Sequence, residues 1–282
     1  MITVGQAIRA IAERLATAGI DTARMDARML VAEAVGLEQT QVVSRPELEL
    51  TAAEADRLEA LAARRAAREP MSHVLGRRGF WTLTLKVTAD TLAPRPDTET
   101  VVEAVLAARP DRLRPYRVLD LGTGTGCLPL ALLSEWPNAT AVAVDASPAA
   151  LAVARDNAAA CGLADRMEFR LGDWGSGLDG IFDVIVSNPP YIPDDEIDRL
   201  DPEVARHEPR LALAGGPDGL DCYRRLAPDL ARLLAPGGVT AMEVGAGQAE
   251  AVAKLLEECG FSGVTMRADL AGVQRCVLTA RP

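Results

Sequence analysis

Through the first 70 residues, apolar side chains recur at intervals of three and four. Val4, Ile8, Ile11 and Leu15 share one helical face, and Gly19 stands where a helix C-terminus is closed. A second helix is predicted over 21–35, stopped by Gly36. Thr51-Ala52-Ala53-Glu54 has the capping-box pattern, in which the Thr and Glu side chains satisfy each other's backbone N–H. It opens a third helix through Leu58 and Leu61 toward Glu69, ended by Pro70. Residues 1–70 therefore read as a small helical bundle, either a docking surface for a partner or a cap on the next domain.

The period then shortens to two. Phe80-Trp81-Thr82-Leu83-Thr84-Leu85-Lys86-Val87 alternates as a strand, and Thr91-Leu92-Ala93 is expected to pair with it as a hairpin. Pro94-Arg95-Pro96-Asp97-Thr98-Glu99 reads as a rigid turn into a helix whose acidic first turn suits the helix dipole. Residues 71–97 are expected to link the bundle to a larger domain over 98–282.

That domain alternates strand and helix. Strands are predicted at 117–121, 140–144, 167–171, 181–187 and 239–244, with two short ones near Val264 and Val277 as an antiparallel edge hairpin. Helices are predicted over 125–136, from Ser147-Pro148 to Cys161, over 223–234 and through Leu255-Leu256. Ala235-Pro236-Gly237-Gly238 reads as a turn. The fold class is α/β, a seven-stranded sheet beside the N-terminal bundle.

Composition narrows the chemistry. At 282 residues, 49% apolar and 25% charged, the chain is an ordinary globular protein. No apolar run approaches the roughly 20 residues needed to cross a bilayer, and no basic-then-apolar leader opens it. A cytoplasmic location without membrane association is expected. The five cysteines are widely spaced and lack a C-x-x-C pair, which predicts reduced thiols and neither a disulfide framework nor a zinc site. Two histidines, far apart, disfavour His-based nucleophilic or metal chemistry. The net charge of −10 is uneven: residues 1–80 hold 11 basic and 11 acidic side chains, the rest 19 and 29. A nucleic-acid enzyme usually shows a basic footprint. None is visible globally, although the Arg64-Arg65, Arg68, Arg77-Arg78 cluster could form a local patch.

Two loops carry candidate chemistry. Asp120-Leu121-Gly122-Thr123-Gly124-Thr125-Gly126 joins the first strand of the domain to its helix, and its glycines allow close backbone approach to a ligand. The spacing is G-x-G-x-G, not the G-x-G-x-x-G of a dinucleotide fold. Asp145 ends the next strand, where a carboxylate can accept both hydroxyls of a ribose; this points to an adenosyl cofactor without choosing S-adenosylmethionine over NAD. Asp173 and Trp174 follow the third strand, placed to accept an adenine amine and wall the ring, with core packing the other reading of Trp174. The second loop is Asn188-Pro189-Pro190-Tyr191, after the β-branched strand over 181–187. Ligands bind at the carboxyl ends of such strands. There, the Asn oxygen and the Pro189 carbonyl suit the two N–H groups of a planar –NH2 substrate, and the Tyr191 ring suits its flat face.

On these motifs the chain resembles the class I S-adenosylmethionine-dependent methyltransferases, and more closely the bacterial protein-(glutamine-N5) methyltransferases that modify peptide chain release factors. The likeness spans nearly the whole chain. It includes Glu69-Pro70, Gly76, Phe80, the Pro94–Glu99 turn, the glycine loop and Asn188–Tyr191. It further includes Glu208-Pro209-Arg210-Leu211-Ala212-Leu213 and Gly215-Gly216-Pro217-Asp218-Gly219-Leu220. Asp97 stands where the family often has Glu, and His73 where Tyr is common. The resemblance implies a Rossmann-like sheet and S-adenosyl-L-methionine as cofactor, leaving S-adenosyl-L-homocysteine. It implies that Gly122, Thr123, Gly124, Thr125, Gly126, Asp145, Trp174 and Asn188 contact the cofactor, to which the position of Asp173 after the third strand adds a further candidate contact. It also implies that Asn188, Pro189, Pro190 and Tyr191 hold a glutamine from the Gly-Gly-Gln loop of a class 1 release factor. A monomer is expected, with no direct nucleic-acid partner. The alternatives are a glutamine of a ribosomal protein, adenine-N6 methylation of nucleic acid, an NAD-dependent oxidoreductase, and a non-catalytic binding protein.

Overall fold

The computed structural model describes residues 2–281. They divide into two compact units, one of residues 2–76 with Asp201–His207, the other of Arg77–Leu200 with the residues from Glu208 onward.

In the helical unit, the helix Val4–Thr17 buries Val4, Ala7, Ile11 and Leu15, one face at helical spacing. Helix Ala23–Val35 ends at Gly36 in the left-handed conformation. Helix Ala52–Ala66 starts with the expected capping box: Thr51 Oγ1 accepts from the Glu54 N–H, and Glu54 Oε2 accepts from the Thr51 N–H at 2.7 Å. Short helices Gln39–Ser44 and Met71–Leu75, which the sequence pattern does not predict, complete the fold around Leu15, Leu30, Val31 and Leu58. The unit also takes in the four-residue helix Pro202–Ala205, from a segment whose sequence shows no regular period. Its Glu203 sits between Arg65 (2.8 Å) and Arg68 (2.7 Å), and Arg65 also pairs with buried Asp26 at 2.7 Å. Burial pushes the Glu203 carboxyl up, but hydrogen bonds from Arg68 and Arg65 overrule it and hold the group down to about 2.

The second unit opens with a two-stranded hairpin, β1 (Arg77–Phe80) and β2 (Leu83–Lys86). This corrects the expected strand over 80–87 paired with 91–93: the chain turns back at Trp81-Thr82. No Gly or Pro stands at that turn, so neighbouring contacts hold it. Trp81 takes φ 54°, its N–H donates to Glu99 Oε1 at 2.8 Å and its indole N–H to Glu135 Oε1 at 2.7 Å.

The main sheet contains β3 (Arg117–Leu121), β4 (Thr140–Asp145), β5 (Met167–Leu171), β6 (Phe182–Ser187), β7 (Leu234–Glu243), β8 (Ser262–Ala268) and β9 (Gln274–Ala280), in the order β5-β4-β3-β6-β7-β9-β8. The first five lie parallel, and β9 runs antiparallel to both β7 and β8. Successive residues feed opposite faces. Val118, Val184 and Val186 enter one core cluster, and Leu119, Leu121 and Ile185 the other, as a sheet buried on both faces requires. One further expectation is corrected: residues 235–238 are an irregularity within β7 rather than a turn before it. Leu234 already pairs with Phe182, and the register shifts before Val239 meets Val184. No described helix is long and apolar enough to cross a membrane.

The strand order reverses at β3, from which the chain builds outward first through β4 and β5, then through β6 and β7. Such a switch point opens a crevice at the carboxyl ends of the strands. Because β3 and β6 are direct neighbours, with Asp120 opposite Val186, the glycine loop and Asn188 emerge side by side.

Candidate active site

The crevice is a cavity of about 290 Å³, near the lower bound for small-molecule sites. Its floor is the loop after β3. The Gly122 and Thr123 N–H groups both donate to the Val144 carbonyl at 2.9 Å, tying the loop to β4. Gly122 takes φ 79°, and a Cβ there would lie 3.2 Å from the Trp174 ring, so a side chain would push the indole off the loop. Asp145 ends β4 with both oxygens engaged. Oδ2 accepts from the Gly124 N–H at 2.8 Å and Oδ1 from the Ser147 N–H at 2.9 Å, a fixed carboxylate on the cavity wall.

Of the residues singled out in the sequence, Gly122, Thr123, Gly124, Thr125, Asp145, Asp173, Trp174, Asn188 and Pro190 line this one cavity. Gly126, Pro189 and Tyr191 are not among its lining residues. Gly126 instead caps the helix Cys127–Glu135. Asp173 is ion-paired with Arg225. Tyr191 is anchored from two sides: its hydroxyl donates to Glu243 Oε1 at 3.2 Å, and its carbonyl accepts from Gln248 Nε2 at 2.9 Å. Burial raises the Tyr191 phenol well above its ordinary pKa, and the nearby Glu243 charge adds to the shift.

The other motifs acquire physical reasons here. Both oxygens of Glu208 accept from Arg95 at 2.9 Å, so this ion pair joins the Pro-Arg-Pro turn to the Glu-Pro-Arg segment. The Ile192 N–H donates to Leu213 and the Gly215 N–H to Ile192, laying the Gly-Gly-Pro-Asp-Gly segment against the residues after Tyr191. A Cβ on Gly219 would stand 2.4 Å from the Tyr191 carbonyl oxygen, and its φ of 75° already favours glycine.

Three functional candidates are not evident from the sequence. Asp120, visible there only as part of the loop, is 1% exposed on the cavity floor, and neither carboxyl oxygen has a hydrogen-bond partner among the described residues. Burial pushes its pKa up to about 7; Thr123 opposes the shift and the Asp145 charge adds to it. Glu243, at the end of β7, is likewise 1% exposed and pushed up to about 7 by burial, opposed by the hydroxyl groups of Thr98 and Tyr191. Thr98 is buried on the cavity wall. The available signal was a lone carboxylate closing each of two apolar strands.

The donor set fits S-adenosylmethionine. Unpartnered Asp120 offers its charge to a cationic group, pinned Asp145 offers acceptors to a ribose, and Trp174 offers an aromatic wall. Asp120 also has a measurable consequence. Its folded pKa lies above the unfolded value of 3.8, so its protonation stabilises the unliganded protein fully below that value and is lost as pH rises through about 7. A cation bound beside it favours the ionised form. Cofactor binding near pH 7 should therefore release a fraction of a proton, and above pH ~8 almost none. Titration calorimetry in buffers of differing ionisation enthalpy checks this; buffer-independent heats at pH 7, or the same release from Asp120→Asn, would remove Asp120 from the site.

Residues 6–76 match the family model described as the PrmC N-terminal domain, and residues 99–202 that of the Methyltransferase small domain. The chain is 49% identical over 280 residues to the release factor glutamine methyltransferase of Rhodospirillum rubrum, covering 99% of this chain and 86% of that protein. It is 47% identical over 278 residues to the protein of the same name from Caulobacter vibrioides, covering 98% and 96%. Among solved structures, the hMettl16 catalytic domain in complex with an RNA hairpin superposes with a TM-score of 0.58 at 17% identity, covering 78% of this chain and 81% of that one. That likeness speaks for the fold alone.

Proposed function

The chain belongs to the release factor glutamine methyltransferase family and is an S-adenosylmethionine-dependent methyltransferase, and from that premise we propose that its acceptor is the side-chain amide nitrogen (N5) of the glutamine in the Gly-Gly-Gln loop of class 1 peptide chain release factors. The observation that supports this best is Asn188 standing in the same cavity as Asp120 and Asp145.

An amide nitrogen is a weak nucleophile because its lone pair is delocalised into the carbonyl. The cofactor's sulfonium supplies an activated methyl group, so the protein's contribution is alignment, worth up to about 7–11 kcal/mol in well-oriented reactions. The Asn188 side-chain oxygen and the Pro189 carbonyl would accept the two amide protons. They would hold the nitrogen in line and stabilise the positive charge that develops on it. Tyr191, anchored at hydroxyl and carbonyl, would pack on the amide plane. No base is needed before transfer, because the proton leaves afterwards from a far more acidic nitrogen. The helical unit would supply the docking surface for the release factor, an encounter that belongs in the cytoplasm.

Transfer of radiolabelled methyl to a purified release factor, beside its loop Gln→Ala variant, tests the reading. Label is expected on the first and absent from the second. Label on both, or on a ribosomal protein or nucleic acid in preference, overturns it.

A further inference from the structure

We propose that Gln248 is a positioning residue of the methyl transfer, holding the exit of the Asn-Pro-Pro-Tyr motif so that its acceptor groups stay aimed at the cavity. The proposal rests on the function proposed above, in which Asn188 and Pro189 receive the acceptor's amide protons.

Two consecutive prolines stiffen the motif but loosen its hold on the rest of the fold. Neither has an N–H, so Pro189 and Pro190 can donate nothing to a neighbouring strand. The motif must therefore be fixed at its ends. Its entry is the end of β6, where Ser187 pairs with Met242 and donates its hydroxyl to the Leu121 carbonyl at 2.6 Å. Its exit is Tyr191, and there a side chain does what a sheet does at the entry. Gln248 Nε2 donates to the Tyr191 carbonyl at 2.9 Å. The same nitrogen reaches the Gly219 carbonyl at 3.4 Å, and Oε1 accepts from the Gly245 N–H at 3.0 Å. These three partners leave the amide one orientation. Rotated by half a turn, it would set oxygen against two carbonyls and N–H against N–H. Gln248 is itself fixed at the start of the helix Ala249–Glu258, where its carbonyl accepts from the Val252 N–H at 3.0 Å.

The surroundings are shaped to this contact. A Cβ on Gly219 would stand 2.5 Å from Gln248 Nε2. One on Gly245 would stand 2.7 Å from Gln248 Oε1 and 3.0 Å from the edge of the Tyr191 ring. Glu243 accepts the Tyr191 hydroxyl at 3.2 Å. The turn over 243–248 thus grips Tyr191 at its carbonyl, its ring edge and its hydroxyl. Gln248 is not among the cavity's lining residues, so it acts through Tyr191 and not on the reacting atoms.

The test compares Gln248→Glu, Gln248→Met and Asn188→Ala in the full chain. Gln248→Glu is the nearest isostere: it keeps an oxygen for Gly245 but sets the other against the carbonyls of Tyr191 and Gly219. Gln248→Met keeps the bulk and offers no N–H. A packing residue would tolerate both changes, and a donor tolerates neither. Acceptor kcat should fall by about 10- to 100-fold, the scale of one or two lost hydrogen bonds and a motif out of line, and further in Gln248→Glu than in Gln248→Met. Calorimetry should find the cofactor bound at full stoichiometry, with affinity within about threefold of wild type, so that the loss is not a smaller folded fraction. In protein labelled with 3-fluorotyrosine, the Tyr191 resonance, assigned by its absence from Tyr191→Phe, should shift or broaden in both variants while that of Tyr116 stays. Gln248→Met adds no charge and decides the matter if Gln248→Glu does not fold. Wild-type kcat in Gln248→Met, with Asn188→Ala impaired, overturns the positioning role and leaves the proposed function standing. A kcat loss in Gln248→Met matched by an equal fall in cofactor stoichiometry makes Gln248 a folding residue and also overturns it. Full turnover in Asn188→Ala sinks the underlying function instead.

Discussion

Asn188→Ala is expected to lower kcat by about 10²–10³-fold, the scale seen when one group that stabilises developing charge is removed. Asn188 lies at the carboxyl end of β6, outside the packed strand, and its side chain hydrogen-bonds Thr98. Truncation opens no core cavity, so the thermal unfolding profile should stay close to wild type. The loss should fall on kcat more than on KM, because the bond to the acceptor nitrogen strengthens as positive charge grows on it. Single-turnover methyl transfer on a release factor, with circular dichroism as the folding control, reads both quantities. Wild-type turnover would remove Asn188 from the mechanism and overturn the reading built on it.

Arg65→Ala should cost about 3–5 kcal/mol of stability, the usual penalty for stranding the partner of a buried ion pair. The Arg65 and Asp26 side chains are 7% and 2% exposed, so the deserted Asp26 cannot recover its hydration without opening the helical unit. Glu203 would lose one of its two guanidinium partners at the same time. Urea unfolding of the full chain should show an earlier transition in the helical unit. Amide hydrogen exchange should show lost protection over 201–207. The double variant Asp26→Leu with Arg65→Met should regain much of the loss, since a matched apolar pair strands no charge. A single variant as stable as wild type would mean that Asp26 is rehydrated in the folded state.

Where local pattern decides structure, the sequence was readable. The β-branched run before Asn188, the Thr51–Glu54 box and the Ser147-Pro148 helix start each contain their own boundary signal, and each element formed. The Trp81-Thr82 turn has no such signal, because it is held by carboxylates 18 and 54 residues away. The Pro-Gly-Gly stretch carries strong turn chemistry, yet pairing with β6 extends β7 through it. The site divides the same way. The glycine loop and Asn-Pro-Pro-Tyr are contiguous and could be recognised. The surroundings of Asp120, Thr98 and Glu243 depend on burial by distant parts of the fold, which no local pattern reveals. Arg95 with Glu208 is similar: both motifs stand out in the sequence, and only folding joins them.

The helical unit draws Asp201–His207 from the middle of the larger domain's sequence, so no single cut in the gene yields either half intact. A fragment beginning after Gly76 would still carry Glu203, now without Arg65 and Arg68, on a tether whose far end is the buried Glu208. Low activity in such a truncation would confound a lost docking surface with an untethered strap. A fair dissection replaces 201–207 with a short neutral linker when it deletes the N-terminal helices.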